Sequence, residues 1–295
     1  MTLTPNQWIG IPVALVAAVF LALGAQFQHR GVGRVEAATG EIESSPGLSL
    51  KQILLLLARP SWVIGTVMLG LAVVLQLTSL YLAPLIVVQP LGAIALVITA
   101  VVNSRVSQVA LDRKSIRAIA FCVGGVGLFV TVAAFTAKSS PIDTVQLSII
   151  LSVLSLIIMG LSLAFAFFRH RFTAIMFILG AGLLYGFVAT LAKVVIDRAK
   201  TGDFEWLTVL CLVALLAAAI LGGYFVQNAY SSGPTDLVIA GLTVVDPLVA
   251  VTIGIVVLQE AAGAPWYAAV AYVAAAGLAV YGVFQLAKHH PQAQR

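Results

Sequence analysis

Residues 85–103 read LIVVQPLGAIALVITAVVN, and residues 242–260 read LTVVDPLVAVTIGIVVLQE. At an offset of 157 both carry Leu-x-Val-Val, a polar residue, then Pro-Leu-x-Ala, with Ile98 against Ile255. Apolar composition alone gives some matches, but a shared polar-Pro dipeptide with the same flanks marks a repeated helix. A weaker echo follows each copy, Gly127-Leu-Phe-Val and Gly277-Leu-Ala-Val. Each copy is long and apolar enough to cross a bilayer. The direction in which each crosses therefore decides the architecture.

The rest of the chain has the same character. Of 295 residues, 61% are hydrophobic and 9% charged, with a mean hydropathy of +1.08. Soluble domains carry about 25% charged residues, so these few charges cannot solvate a globular surface of this size. Lipid offers backbone amides no partner, so spans are helices or closed barrels, and these unalternating blocks are helices. We expect an all-α integral membrane protein of about nine spans, at 8–28, 61–82, 84–103, 117–136, 145–168, 172–196, 206–228, 236–259 and 266–287. The stretch 30–48, with Glu36, Glu41 and Glu43, reads as a loop. The segment 49–59 is too short to cross unaided and reads as interfacial or re-entrant. The first block has no basic residue before it, unlike a secretory signal, so it reads as a retained span. Cys122 and Cys211 lie inside apolar blocks and read as packing residues, not a disulfide framework.

The net charge of +5 is not a nucleic-acid signature here, because the basic residues sit in short loops. With an external N-terminus, one side receives Arg30, Arg34, Lys51, Arg59, Arg105, Arg113, Lys114, Arg117, Arg169, Arg171, Lys288 and Arg295. The other receives only Lys138, Lys193, Arg198 and Lys200. That imbalance makes the first side cytoplasmic, with a cytoplasmic C-terminus, in a plasma membrane. The first copy of the repeat then runs inward and the second outward, so residues 1–137 and 138–295 form two inverted halves. Inverted repeats are a signature of secondary transporters, whose substrate site lies near midplane where the repeats meet.

Candidate residues follow from polarity at depth. Asp246 lies in mid-span, where a carboxylate costs at least about 2.5–3.5 kcal/mol, and is the candidate ligand for a cation or proton. Pro247 frees a backbone carbonyl one turn earlier. The alternative is an Asp hydrogen-bonded to another helix. Gln89-Pro90 is the matching dipeptide, either a ligand facing Asp246 or an interhelical amide bond. Gln26 could face a cavity, whereas His29 and Arg30 mark the membrane boundary. Gln76, Thr78, Gln227 and Asn228 are either pathway lining or polar glue. Asn103 and Glu260 end the two copies as candidate gates, with a solvated helix-end carboxylate the plainer reading of Glu260. Asp236 reads as a cap and Lys193 as a snorkelling side chain. Gly180, Gly182 and Gly186 permit close helix approach. There is no Walker loop, nucleophile elbow or metal-catalytic cluster, so the residues imply neither an enzyme nor a cofactor.

The segment Ala83-Pro84-Leu-Ile-Val-Val-Gln89-Pro90-Leu91-Gly92-Ala93 resembles the NIPA-like magnesium transporter branch of the drug/metabolite transporter superfamily. That branch opens a long helix with an Ala-Pro link and Leu-Val-Thr-Pro-Leu-Gly-Ala, with Thr where this chain has Gln89. Gly24-Ala25-Gln26-Phe27 in the first span is also similar. The wider superfamily has an acid thirteen residues after its repeated Pro. Pro247 and Glu260 keep that spacing, whereas Pro90 meets Asn103. The resemblance implies an inverted-repeat transporter moving a cation, with magnesium the candidate, or a small polar metabolite. The expected partners are that substrate and the lipid bilayer, with a homo-oligomer left open. The competing class is a non-transporting scaffold or accessory subunit of an envelope enzyme.

Overall fold

The computed structural model describes residues 4–39, 57–107, 112–138, 141–168, 172–202, 205–233 and 235–289. In chain order the helices are α1 (Pro5–Thr39), α2 (Pro60–Leu82), α3 (Leu85–Val88), a 3-10 turn (Gln89–Gly92), α4 (Ala93–Ser107), α5 (Arg113–Thr136), α6 (Thr144–Phe168), α7 (Ala174–Thr201), α8 (Trp206–Ser232), α9 (Thr235–Val256) and α10 (Trp266–His289). Among the described residues nine helical stretches are long and apolar enough to cross a membrane, α3 and α4 forming one of them. The chain is thus an all-helical, multi-pass membrane protein.

The expected spans recur with shifted ends. α5 begins at Arg113, before the expected 117, because the Asp112 carboxylate accepts from the Ser115 N–H at 2.7 Å and caps the first turn. α9 stops at Val256, before the expected 259, where the chain turns through Gln259 at φ 54°. α1 runs on to Thr39, so the loop expected from residue 30 is helical as far as 39. Hydropathy reports depth in the bilayer, whereas Arg34, Glu36, Ala37 and Ala38 are good helix formers in water. Residues 40–48 and 49–56 of the segment 49–59 lie outside the described residues.

Small residues set the helix pairs. α1 and α2 run antiparallel, with Gly10 against Ala83 and Gly24 against Leu69. α7 and α8 form a second antiparallel pair, with Gly180 against Phe225 and Gly222 against Tyr185. α5 and α10 meet backbone to backbone, Gly125 against Ala279 and Gly282 against Cys122. α7 and α9 run in the same direction, with Gly182 on Val245 and Gly186 on Val249. The close-approach reading of Gly180, Gly182 and Gly186 holds, since a Cβ at each would sit 2.5–2.6 Å from a neighbouring side chain. The centre of the bundle is α3, whose Leu85, Ile86, Val87 and Val88 are all fully buried. α6 is the most peripheral of these spans, with most of its side chains outside the core. Both cysteines are free and buried, as packing residues should be.

These pairings sort the ends of the helices. One end gathers the N-terminus of α1, the Ala83-Pro84 link, residues 137–138 and 141–143, Gly202 and Glu205, and the 257–265 link. Exposed Trp8, Trp206, Trp266 and Tyr267 ring it, as interfacial aromatics do. The other end carries Arg59, Arg105, Arg113, Lys114, Arg117 and Lys288.

Candidate functional site

The two copies of the repeated helix fold differently. In the first, Pro90 cannot donate to the Ile86 carbonyl, and the chain tightens into the 3-10 turn Gln89–Gly92 between α3 and α4. In the second, Asp246-Pro247 sits inside one continuous helix, α9. Where they pack, the two run in opposite directions. Leu85 lies against Gly254, and further along Pro90 and Ala93 share a small apolar cavity with Thr243 and Pro247. Asp246 is eleven residues from Thr235 and ten from Val256. At 1.5 Å per residue it lies about 15 Å from either end, near midplane.

A cavity of about 460 Å³ opens beside it, between α1, α2, the 3-10 turn, α7 and α9. Four of the residues expected to form a pathway line it together: Gln76, Gln89, Asp246 and Pro247. Tyr185 and Thr243 add hydroxyls. The Asp246 Oδ1 is buried and has no hydrogen-bond partner among the described residues. A buried acceptor left unsatisfied costs about 1–3 kcal/mol, and more when charged, so it marks a place for a ligand or proton.

The other expected residues lie elsewhere. Pro90 faces the small apolar cavity instead. Gln26 is half-buried on α1 and does not line the main cavity. Gln227 is exposed on α8, and the Asn228 amide donates to the Tyr224 carbonyl at 2.7 Å. Asn103 is buried at the end of the bundle opposite Glu260. The side chain of Asp236 lies outside the described residues. Among the described residues, no three His, Cys, Asp or Glu side chains come together as a metal cluster would.

Two buried charges grip the Ala83-Pro84 link above the cavity. Lys193, expected to snorkel, is only 1% exposed. Its ammonium donates to the Leu80 carbonyl at 2.8 Å and the Ala83 carbonyl at 3.1 Å, and pairs with Asp197 at 3.1 Å. It thus satisfies the free carbonyls that end α2. Glu260, read as solvated, is 3% exposed. Its two carboxylate oxygens each accept at 2.8 Å, from the Leu85 N–H and the Ile86 N–H. Its own N–H donates to Gly254 and its carbonyl accepts from Lys138. The left-handed φ of Gln259 folds the chain back over the end of α9 and so delivers Glu260 there. Both corrections have one cause: the partners are main-chain groups of a neighbouring helix, which no local pattern displays. Lys200 also ties α7 to the end of α2, donating to the Tyr81 carbonyl and pairing with Asp197.

No protein-family model and no solved structure matches the chain. It is similar to an uncharacterized protein of Corynebacterium glutamicum, 26% identical over 260 residues that make up 86% of each chain.

Proposed function

We propose that this chain is a secondary transporter of the drug/metabolite type, built on an inverted repeat and working by alternating access. The carrying observation is that Gln89 and Asp246, singled out as equivalent positions of the repeat, line one cavity near midplane. Secondary transporters hold their substrate there. The packing supports the repeat. α1 with α2 answers to α7 with α8, α4 answers to α9, and α5 pairs with α10, leaving α6 as an extra peripheral span. The two repeated helices run in opposite directions where they touch, as an inverted pair requires.

In this reading Asp246 binds a cation directly, or loads and releases a proton to drive exchange of a small polar metabolite. Gln76 and Gln89 orient the cargo. Glu260 and Lys193 close the cavity on the Ala83-Pro84 side, and opening that side means drawing one or both off the link. The basic residues at the opposite end favour a cytoplasmic assignment for it, with an external N-terminus and a cytoplasmic C-terminus. Magnesium is suggested as cargo only by the resemblance of the 83–93 segment, not by the lining of the cavity.

The test is flux in proteoliposomes. Asp246→Asn should lower the rate at least about tenfold and flatten its pH dependence, while Gln227→Ala, outside the cavity, should leave it unchanged. A rate and pH profile unaltered by Asp246→Asn would remove this residue from the mechanism.

A further inference from the structure

The same cavity carries a narrower conclusion about its cargo, one that rests on the transport reading. We propose that the Asp246 cavity takes a singly charged organic cation with an apolar body, admitted from the bilayer side.

Charge is the first reason. Among the described residues that line it only Asp246 carries a formal charge; Gln76, Gln89, Tyr185 and Thr243 are neutral. One carboxylate with an unpartnered buried oxygen is balanced by one positive charge. A divalent ion would leave an uncompensated charge in a low-dielectric interior, which is strongly unfavourable. It would also need several oxygen ligands, and no acid cluster lies there among the described residues.

Size and wall chemistry are the second. The volume of about 460 Å³ exceeds what a bare ion needs. It falls within the roughly 300–1,000 Å³ typical of organic-ligand sites, which are mostly apolar with a few placed polar groups. Ala17, Ala72, Leu80, Val188, Ala189 and Leu242 supply such a wall.

Access is the third. Leu21, Val73 and Leu77 line the cavity yet are 45%, 58% and 40% exposed, so the wall continues onto the lipid-facing flank of α1 and α2. On the Ala83-Pro84 side Lys193 and Lys200 tie α2 to α7. A cargo with an apolar body partitions into the bilayer and reaches that lateral opening. A hydrated inorganic ion does not.

The experiment uses the full chain in lipid nanodiscs, with empty nanodiscs as baseline. Calorimetry compares three probes: benzyltriethylammonium chloride, its neutral carbon isostere and magnesium chloride. The ammonium should bind, at least about tenfold more weakly to Asp246→Asn, and within about threefold of wild type to Asp246→Glu. Should Asp246→Asn fail to fold, Ala189→Phe narrows the wall without touching the charge and should likewise weaken binding. Equal ammonium binding by wild type and both variants would overturn the proposal. So would Asp246-dependent binding of magnesium or of the isostere without the ammonium. Parallel flux assays separate the two conclusions. Ammonium binding without ammonium flux upholds the ligand class and contradicts transport; Asp246-dependent magnesium flux without ammonium binding does the reverse.

Discussion

Glu260 and Lys193 are held by opposite ends of neighbouring helices, and their chemistry yields separate expectations. Burial raises the Glu260 carboxyl from its ordinary 4.5 to about 7, against the Ile86 and Leu85 N–H groups and the Lys193 ammonium, which favour the charged form. A carboxyl raised on folding holds its proton more tightly in the folded chain. The resulting stability is complete below about pH 4.5 and is lost as pH rises through about 7. Relative to Glu260→Gln, wild type should therefore lose on the order of 3 kcal/mol across that window. Thermal unfolding at pH 4.5 and pH 8 checks this, and a pH-independent difference between the two proteins would contradict it. Lys193→Met leaves the Leu80 and Ala83 carbonyls without their donor and Asp197 with Lys200 alone. It should cost about 2–4 kcal/mol, more above about pH 7, where Glu260 also loses a neighbouring positive charge. The depth of Asp246, Gln89 and Gln76 was legible in the sequence, because a polar residue inside an apolar block is conspicuous. The burial of Lys193 was not, because a snorkelling lysine and one capping a distant helix have the same local sequence. Tyr185 also escaped notice, since a tyrosine in an apolar helix carries no distinguishing mark.

Helix pairs here are set by glycines and broken by one proline. Gly282 faces the Cys122 main chain across α5 and α10, so a methyl group there meets backbone that cannot swing aside. Gly282→Ala should destabilise by about 1–3 kcal/mol, read as a lowered unfolding midpoint. Gly277→Ala on the same helix, with open space around its position, should be neutral or slightly stabilising. Pro90→Ala restores a backbone donor and lets the 3-10 turn relax towards a continuous helix like α9. It should raise thermal stability while slowing flux several-fold if the break is a working hinge; equal flux would assign the turn a packing role alone. The spans themselves were readable because a bilayer demands a fixed length of apolar chain. Their ends were less so, because Asp112, the helix-forming 34–38 stretch and the left-handed Gln259 act through backbone geometry that hydropathy ignores.

Across the whole molecule the two similar stretches of sequence form helices that run in opposite directions where they touch, and Asp246 is the one formally charged side chain among the described residues lining the cavity beside them. Gln26, Gln227 and Asn228 show how far composition reaches: a polar residue near a span end can face lipid, its own helix or a neighbour, and only assembly of the bundle decides. The account requires that the cavity exchange between the two sides of the membrane, with the Lys193 and Glu260 contacts holding one side shut. Cysteine accessibility reads this most directly, in a background lacking Cys122 and Cys211. Thr243→Cys, lining the cavity, should react with a membrane-impermeant maleimide from one side only in the otherwise wild-type chain, and from the Ala83-Pro84 side once Lys193→Met is added. A residue 243 thiol that stays unlabelled from both sides in both backgrounds would mean a sealed core, and the transport account would be wrong.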